Sequence, residues 1–303
     1  MSASSDSVGV LIVGHGFIAN IHAKAVEESA KMHLVGHVGR GDDFDAALSN
    51  PEVGLCIVAN ASGAHDEPVL AAARHRVPVL VEKPMAITTA RCDRMAAACA
   101  ETGTPLGCIF QTRWTDAFRR ARAAVDSGEL GRITFARVDV PWWRPDEYYS
   151  QSTWHGTWEL DGGGALMNQA IHMIDWLCAL MPPVAEVKGF TATLAHPMET
   201  EDVASAAIRF EGGALGAIFA TTASYPGRGK KIEITGTKGT FEYADEIHGV
   251  SRHDQLDYAA HKECFESFVD SLRGGAPYPV GPAAGRAPVD LIEKIYASNG
   301  NRA

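Results

Sequence analysis

The chain has 303 residues, 46% hydrophobic and 21% charged, an ordinary globular composition too long for one typical core, so two domains are expected. A formal net charge of −10 with no Lys/Arg cluster excludes the basic face that a nucleic-acid partner requires. No apolar run reaches membrane-spanning length, and the start Met1-Ser-Ala-Ser-Ser-Asp-Ser7 lacks the basic and apolar regions of a signal peptide. The expectation is therefore no membrane partner and a cytoplasmic location.

The first third alternates β-branched runs with alanine-rich helical stretches. It reads as strand Val8 to Val13, helix Ile18 to Ala30, strand His33 to Val38, a short helix around Asp43 to Leu48, and strand Leu55 to Val58. Helix His65 to His75, strand Val77 to Val81, helix Thr88 to Glu101 and strand Leu106 to Phe110 follow. Strands that are apolar throughout and separated by helices predict a parallel sheet covered on both faces, a doubly wound Rossmann domain over residues 1–112. The helix expected after the second strand is unusually short.

From residue 113 the pattern changes. Helix Asp116 to Ser127 leads into alternating strands Ile133 to Val140, Val184 to Leu194, Ala204 to Phe210, Ala214 to Thr222, Lys231 to Thr235 and Gly239 to Tyr243. Helices Ala259 to Arg273 and Val289 to Ser298 close the chain. Residues 113–303 are expected to form an α+β domain on a large, open, mostly antiparallel sheet with one face covered and the other able to pair. The six cysteines, at 56, 92, 99, 108, 178 and 264, have neither Cys-x-x-Cys spacing nor a histidine at zinc spacing. They read as packing residues, with no metal and no disulfide.

Directly after the first strand stands Gly14-His-Gly16-Phe-Ile-Ala19. Two glycines allow a tight turn and close approach of the backbone to a pyrophosphate, and the helix that opens there offers amide donors. The second strand ends Val38-Gly39-Arg40, without the carboxylate that would accept the ribose hydroxyls of NAD. A guanidinium suits a 2′-phosphate, so NADP is placed ahead of NAD, although Asp42 and Asp43 follow closely. Strand Val77 to Val81 runs into Glu82-Lys83-Pro84, which sets a lysine at the carboxyl end of a parallel strand, where ligands of such sheets bind.

In the second half, Asp161-Gly-Gly-Gly-Ala-Leu-Met-Asn-Gln-Ala-Ile-His172 opens an apolar helix with one polar stripe. Asn168, His172 and Asp175 share a face at i, i+4, i+7, amid Leu166, Met167, Ile171, Met173, Ile174 and Leu177. Such a stripe meets either an internal polar network or a ligand. Upstream, Trp142-Trp143-Arg144 and Tyr148-Tyr149 with Trp154-His155-Gly-Thr-Trp158 supply aromatic faces for the C–H faces of a pyranose. Arg144, His155 and Tyr149 could bond hydroxyls or a carboxylate.

Together Gly14-x-Gly16, Ala59-Asn-Ala-Ser-Gly-Ala-His65, Glu82-Lys83-Pro84, Gln111-Thr-Arg113 and Gly162-Gly-Gly-Ala-Leu-Met-Asn-x-x-x-His172 resemble the NAD(P)-dependent oxidoreductases named for glucose-fructose oxidoreductase and inositol dehydrogenase (Gfo/Idh/MocA). The resemblance spans nearly the whole chain. It implies cofactor contacts from Gly14, Gly16, Phe17, Ile18, Arg40, Asn60, Ser62, His65, Glu82, Lys83 and Gln111. It also implies a sugar or nucleotide-sugar substrate lined by Asn168, Arg113, Tyr149, Trp154 and His155, with Lys83 and His172 as catalytic residues. A homodimer or homotetramer through the C-terminal sheet is the implied assembly. Asn168 departs from the pattern, since many members carry aspartate there. Two other functions remain open: glycoside cleavage through transient oxidation, and a non-catalytic nucleotide sensor.

Overall fold

The computed structural model describes residues 7–245 and 258–300, and its described residues fall into two compact units. One comprises residues 7–114 and 258–286, the other residues 115–245 and 287–300.

In the first unit, β1 (Val8–Val13), β2 (Met32–Val38), β3 (Val53–Val58), β4 (Val79–Glu82) and β5 (Leu106–Ile109) form a parallel sheet in the order β2-β1-β3-β4-β5. Helices α1 (Phe17–Glu27), α2 (Phe44–Leu48), α3 (Asp66–His75) and α4 (Thr89–Thr102) connect the strands. Val10, Ile12, Leu55, Ile57, Val79 and Leu80 are wholly buried, as a sheet covered on both faces requires. The strand order reverses between β1 and β3, and ligands of open parallel sheets lie at that point, outside the carboxyl ends of the strands. The expected short α2 is observed at five residues.

Helix α8 (Ala259–Leu272) belongs to this first unit, whereas the sequence predicts one second domain over residues 113–303. The cause lies in its apolar face: Cys264, Phe265, Phe268 and Val269 share one buried cluster with Val10, Ile12, Leu55 and Ile57. Sequence proximity to the second unit carried no information about which core that face fills.

The second unit holds a six-stranded sheet ordered β11-β10-β6-β9-β8-β7. Its strands are β6 (Ile133–Pro141), β7 (Val184–Ala192), β8 (Val203–Phe210), β9 (Leu215–Thr221), β10 (Lys231–Gly236) and β11 (Thr240–Ala244). All neighbours are antiparallel except β6 with β9. Strict alternation along β8 buries Ala204, Ala206, Ile208 and Phe210 on one face. Helices α5 (Asp116–Asp126), α6 (Asp146–Ser150) and α7 (Ile171–Leu180) belong to this unit. Phe190 on the edge strand β7 and Leu194 just after that strand are 79% and 74% exposed. The last helix, α9 (Pro282–Ser298), starts seven residues before the expected Val289, with Pro288 inside it.

Candidate active site

The carboxyl edge of the parallel sheet collects the expected nucleotide contacts. Gly14 has φ +130, and a Cβ there would lie 2.6 Å from the Ala59 carbonyl oxygen, so only glycine lets β1 and β3 close this turn. A Cβ at Gly16 would meet nothing within 4 Å, and Gly16 precedes α1 without any side-chain cap or first-turn acid. The start of an eleven-residue helix, whose first amides have no partner within the helix, is thus uncapped by any side chain and open at Gly16, an arrangement suited to a phosphate. Phe17 is half-exposed at the start of α1, whereas Ile18 packs against the buried cluster.

At the tip of β2, the Gly39 amide donates to Asp42 Oδ2 at 2.7 Å, and Asp43 Oδ1 accepts from Ala46 as the cap of α2. Both acids that followed Arg40 in the sequence therefore hold the turn, while Arg40 is exposed. After β3, Asn60 Nδ2 donates to the Ala64 carbonyl, and its Oδ1 is buried without a partner. After β5, Gln111 Oε1 is likewise buried and unpartnered. Buried acceptors without donors are rare and point to a ligand or a bound water. A nicotinamide dinucleotide, rich in amide and hydroxyl donors, fits an edge that offers an open phosphate cradle and two orphaned acceptors.

Glu82, His65 and Ser62, expected at the cofactor, are all buried. Glu82 is buried at the end of β4, with Oε2 accepting from the Lys83 amide at 2.8 Å and Oε1 2.9 Å from His22 Nε2. Burial pushes its carboxyl upward, yet the His22 hydrogen bond and charge, aided by Lys83 and His261, bring it down to about 2. His65 is 1% exposed; its ring nitrogens lie 3.0 Å from the Pro84 carbonyl oxygen and 3.2 Å from that of Asn60, and burial holds its pKa below the ordinary value. Ser62 is also buried. Glu82 and His65 therefore brace the two sides of the Lys83-Pro84 turn. Sequence spacing gave no sign that His22, Glu82 and His261, from three separate elements, bring ligating atoms within 4.8 Å of one another, all buried.

In the second unit the glycine-led segment begins with one wide π-helical turn, Ala165–Ala170, before α7. Glu201 sets that turn: its Oε2 accepts from the Gly164 amide, and its Oε1 accepts from the Leu166 amide and Tyr296 Oη. Burial raises the Glu201 pKa against those donors. A Cβ at Gly164 would lie 2.0 Å from the Glu201 carbonyl oxygen, and one at Gly163 would lie 2.2 Å from Tyr296 Oη. Close approach is thus why the run is glycine.

The polar stripe is part of a relay that the sequence showed only in part. Arg144 donates from Nη2 and Nε to Gln169 Oε1 at 2.7 and 3.2 Å. Gln169 Nε2 donates to Asn168 Oδ1 at 3.0 Å and to Tyr148 Oη at 2.9 Å. Asn168 Nδ2 then donates to Asp161 Oδ1 at 2.6 Å, and Asp161 Oδ2 accepts from the Gly156 amide. Asn168 and His172 keep partial exposure, while Asp175 is fully buried.

Of the two adjacent tyrosines, the expected Tyr149 is the buried one, donating to Thr222 Oγ1 at 2.9 Å. The ring of its neighbour Tyr148 stacks on His155 at 4.3 Å and 7°. Burial pushes the Tyr148 phenol up to about 12, so it is a neutral hydrogen-bonding group. The Trp154 ring is tilted against His155, with 4.0 Å between centroids. Arg113 is half-buried in the helical turn Gln111–Trp114 of the first unit.

A parallel sheet with a glycine phosphate turn in the first unit is the frame of a dinucleotide-binding protein, and Asn168 and His172 belong to the second unit. Residues 37–110 match the oxidoreductase family with an NAD-binding Rossmann fold, and residues 118–242 match the GFO/IDH/MocA C-terminal domain. The chain belongs to the GFO/IDH/MocA family of oxidoreductases. The WlbA dehydrogenase of Bordetella pertussis, solved with NADH and UDP-GlcNAcA, is 30% identical, with a TM-score of 0.87 and 97% of each chain covered. The myo-inositol 2-dehydrogenase of Thermotoga maritima is 26% identical over 261 residues, 78% of this chain and 75% of that protein. An uncharacterized oxidoreductase of Bacillus subtilis is 25% identical over 233 residues, and the match spans 74% of this chain and 64% of that protein. Among the described residues no helix is long and apolar enough to cross a membrane.

Proposed function

We propose that the protein interconverts a carbinol and a ketone on a sugar or nucleotide sugar, with Lys83 and His172 handling the proton. The observation that carries this reading is the placement of Lys83. It follows β4 at the same sheet edge as the open phosphate cradle, in a turn braced by Glu82 and His65. The relatives that act on inositol or carry a nucleotide sugar support the substrate class.

When bound, the nicotinamide takes or gives the hydride of the carbinol carbon. What remains for the chain is the proton on the carbinol oxygen. Lys83 hydrogen-bonds that oxygen and stabilises the alkoxide character that develops as the C–H bond breaks. His172 accepts the hydroxyl proton in oxidation and returns it in reduction, since an imidazole titrates near neutral pH. Asn168 has both amide ends engaged, so it holds the helix surface beside His172 and carries no proton. Tyr148, Trp154 and His155 form an aromatic wall suited to a pyranose face.

The cofactor reading keeps NADP ahead of NAD, because Asp42 and Asp43 are spent on the turn and the α2 cap while Arg40 is left exposed. The first unit is assigned to cofactor and the second to substrate and self-association, the latter through the sheet that leaves Phe190 exposed. Incubation of the purified protein with NAD⁺ or NADP⁺ and a panel of sugars and nucleotide sugars tests the activity. Growth of the reduced-nicotinamide absorbance with a keto product by mass spectrometry is expected. A cleaved glycoside without net cofactor reduction, or cofactor binding without turnover of any member, would refute it.

A further inference from the structure

Arg144 follows β6 in the second unit and is 5% exposed. Its guanidinium sits over the Trp142 ring at 5.2 Å and the Tyr148 ring at 5.1 Å. Its side-chain hydrogen bonds go to neutral groups alone, Gln169 Oε1 and the Tyr148 phenol. Among the described residues no carboxylate pairs with it. The nearby acids are engaged elsewhere: Asp161 accepts from Asn168 and Gly156, and Asp202 accepts from three backbone amides and His196. Burial lowers the Arg144 pKa and the neighbouring phenols oppose that, but an arginine stays charged throughout the working range.

A buried cation without an anion is costly, and proteins seldom keep one without a use for it. A second observation points the same way. The indole Nε1 of Trp142, whose ring lies beneath that guanidinium, is buried with no acceptor. The surroundings of Trp142 thus hold donors and positive charge in excess of acceptors. Through Gln169 and Asn168 this place is joined by hydrogen bonds to the helix that carries His172.

We infer that Arg144 forms an anion subsite that selects a sugar bearing a carboxylate, a uronate, over the neutral hexose. A carboxylate presents two coplanar acceptors to a guanidinium, and Trp142 can supply a further donor directly or through one water. The inference rests on the sugar reading of the second unit and narrows it to an acidic substrate. A hexose with a primary hydroxyl in place of the carboxylate leaves the cation unpaired, so the discrimination arises from an uncompensated charge as much as from a new contact.

The experiment is calorimetric binding, with NAD⁺ or NADP⁺ present, of UDP-glucuronate against UDP-glucose and of glucuronate against glucuronamide. The native full chain is expected to bind each acid roughly ten- to a hundredfold more tightly than its neutral partner. In Arg144→Met the acid and neutral ligands should bind alike. Equal binding of acid and neutral ligands by the native protein overturns the inference, as does an acid preference that survives in Arg144→Met. Failure to bind any of the acids overturns it too. The glucuronate and glucuronamide arm needs no variant, so it decides the matter even where Arg144→Met does not fold. Binding carries the readout, so an acid preference without turnover would remove the dehydrogenase reading and leave the subsite standing.

Discussion

Asn168 donates through Nδ2 to Asp161 Oδ1 at 2.6 Å, and this contact explains why the polar stripe carries an amide where many relatives of the resemblance carry an acid. An aspartate at 168 would set two carboxylates at hydrogen-bond distance, and such a pair cannot both ionise. Asn168→Asp is expected to lose roughly 1–3 kcal/mol of stability at neutral pH, less at pH 4, where a shared proton bridges the two groups. Asp161→Asn combined with Asn168→Asp should restore most of the loss by reversing the donor and acceptor. Urea melts of the three variants across pH check this, and an Asn168→Asp protein as stable as the parent at pH 8 would contradict it.

Glu82 makes acid stability a property of the Lys83 turn. Its folded pKa of about 2 lies below the ordinary glutamate value near 4.3. The group therefore binds fewer protons folded than unfolded, and its contribution is present above the unfolded pKa and lost as pH falls toward the folded one. The window is roughly pH 4.5 down to 2, and the contribution is of the order of 3 kcal/mol. Glu82→Gln should flatten the acid limb of the stability profile over that range. Comparison of urea midpoints at pH 6 and pH 3 measures the slope, and an unchanged slope would count against the buried contact of Glu82 with His22.

Two glycines separate fold from function. Gly164→Ala drives a Cβ to 2.0 Å from the Glu201 carbonyl oxygen, and the cost is expected to exceed about 3 kcal/mol, as for overpacked cores. Gly16→Ala meets nothing in the protein, so its melting temperature should hardly move without cofactor. Its methyl instead occupies the mouth of the phosphate cradle, and cofactor affinity should fall about tenfold or more. Thermal melts with and without NAD(P) distinguish the two, and a Gly16→Ala protein with unaltered cofactor affinity would refute the cradle.

Arg40 tests the cofactor preference. Removal of the exposed guanidinium by Arg40→Ser should lower kcat/KM for NADP⁺ about ten- to a hundredfold more than for NAD⁺. Steady-state kinetics with each cofactor supplies the ratio. An unmoved ratio would take Arg40 out of phosphate recognition.

Much of this architecture was legible because it rests on local chemistry. Apolar strands such as Leu55 to Val58 declared a sheet buried on both faces, and Gly14-x-Gly16 declared the turn that only glycine permits. Lys83 and His172 stood out because strand ends and one-face spacing are readable by period. Long-range packing was not. Glu201 and Tyr296 shape the turn before His172 from 30 or more residues away, and α8 fills a core on the far side of the sequence. Tyr148 and Tyr149 are neighbours of identical chemistry, and only backbone direction decides which hydroxyl meets His155 and which meets Thr222. Gln169 lies off the stripe that an α-helical period defines, yet within the π turn its amide donates to Asn168.

The central claim is that Lys83 and His172 handle the carbinol proton, and the direct test is the rate of nicotinamide reduction by His172→Ala and Lys83→Met beside the native chain. The best sugar found for the native protein is used, with cofactor affinity measured separately. Both variants are expected to bind the dinucleotide and to lose about 10²- to 10⁴-fold in kcat. A native rate in His172→Ala with cofactor binding intact would contradict the assignment.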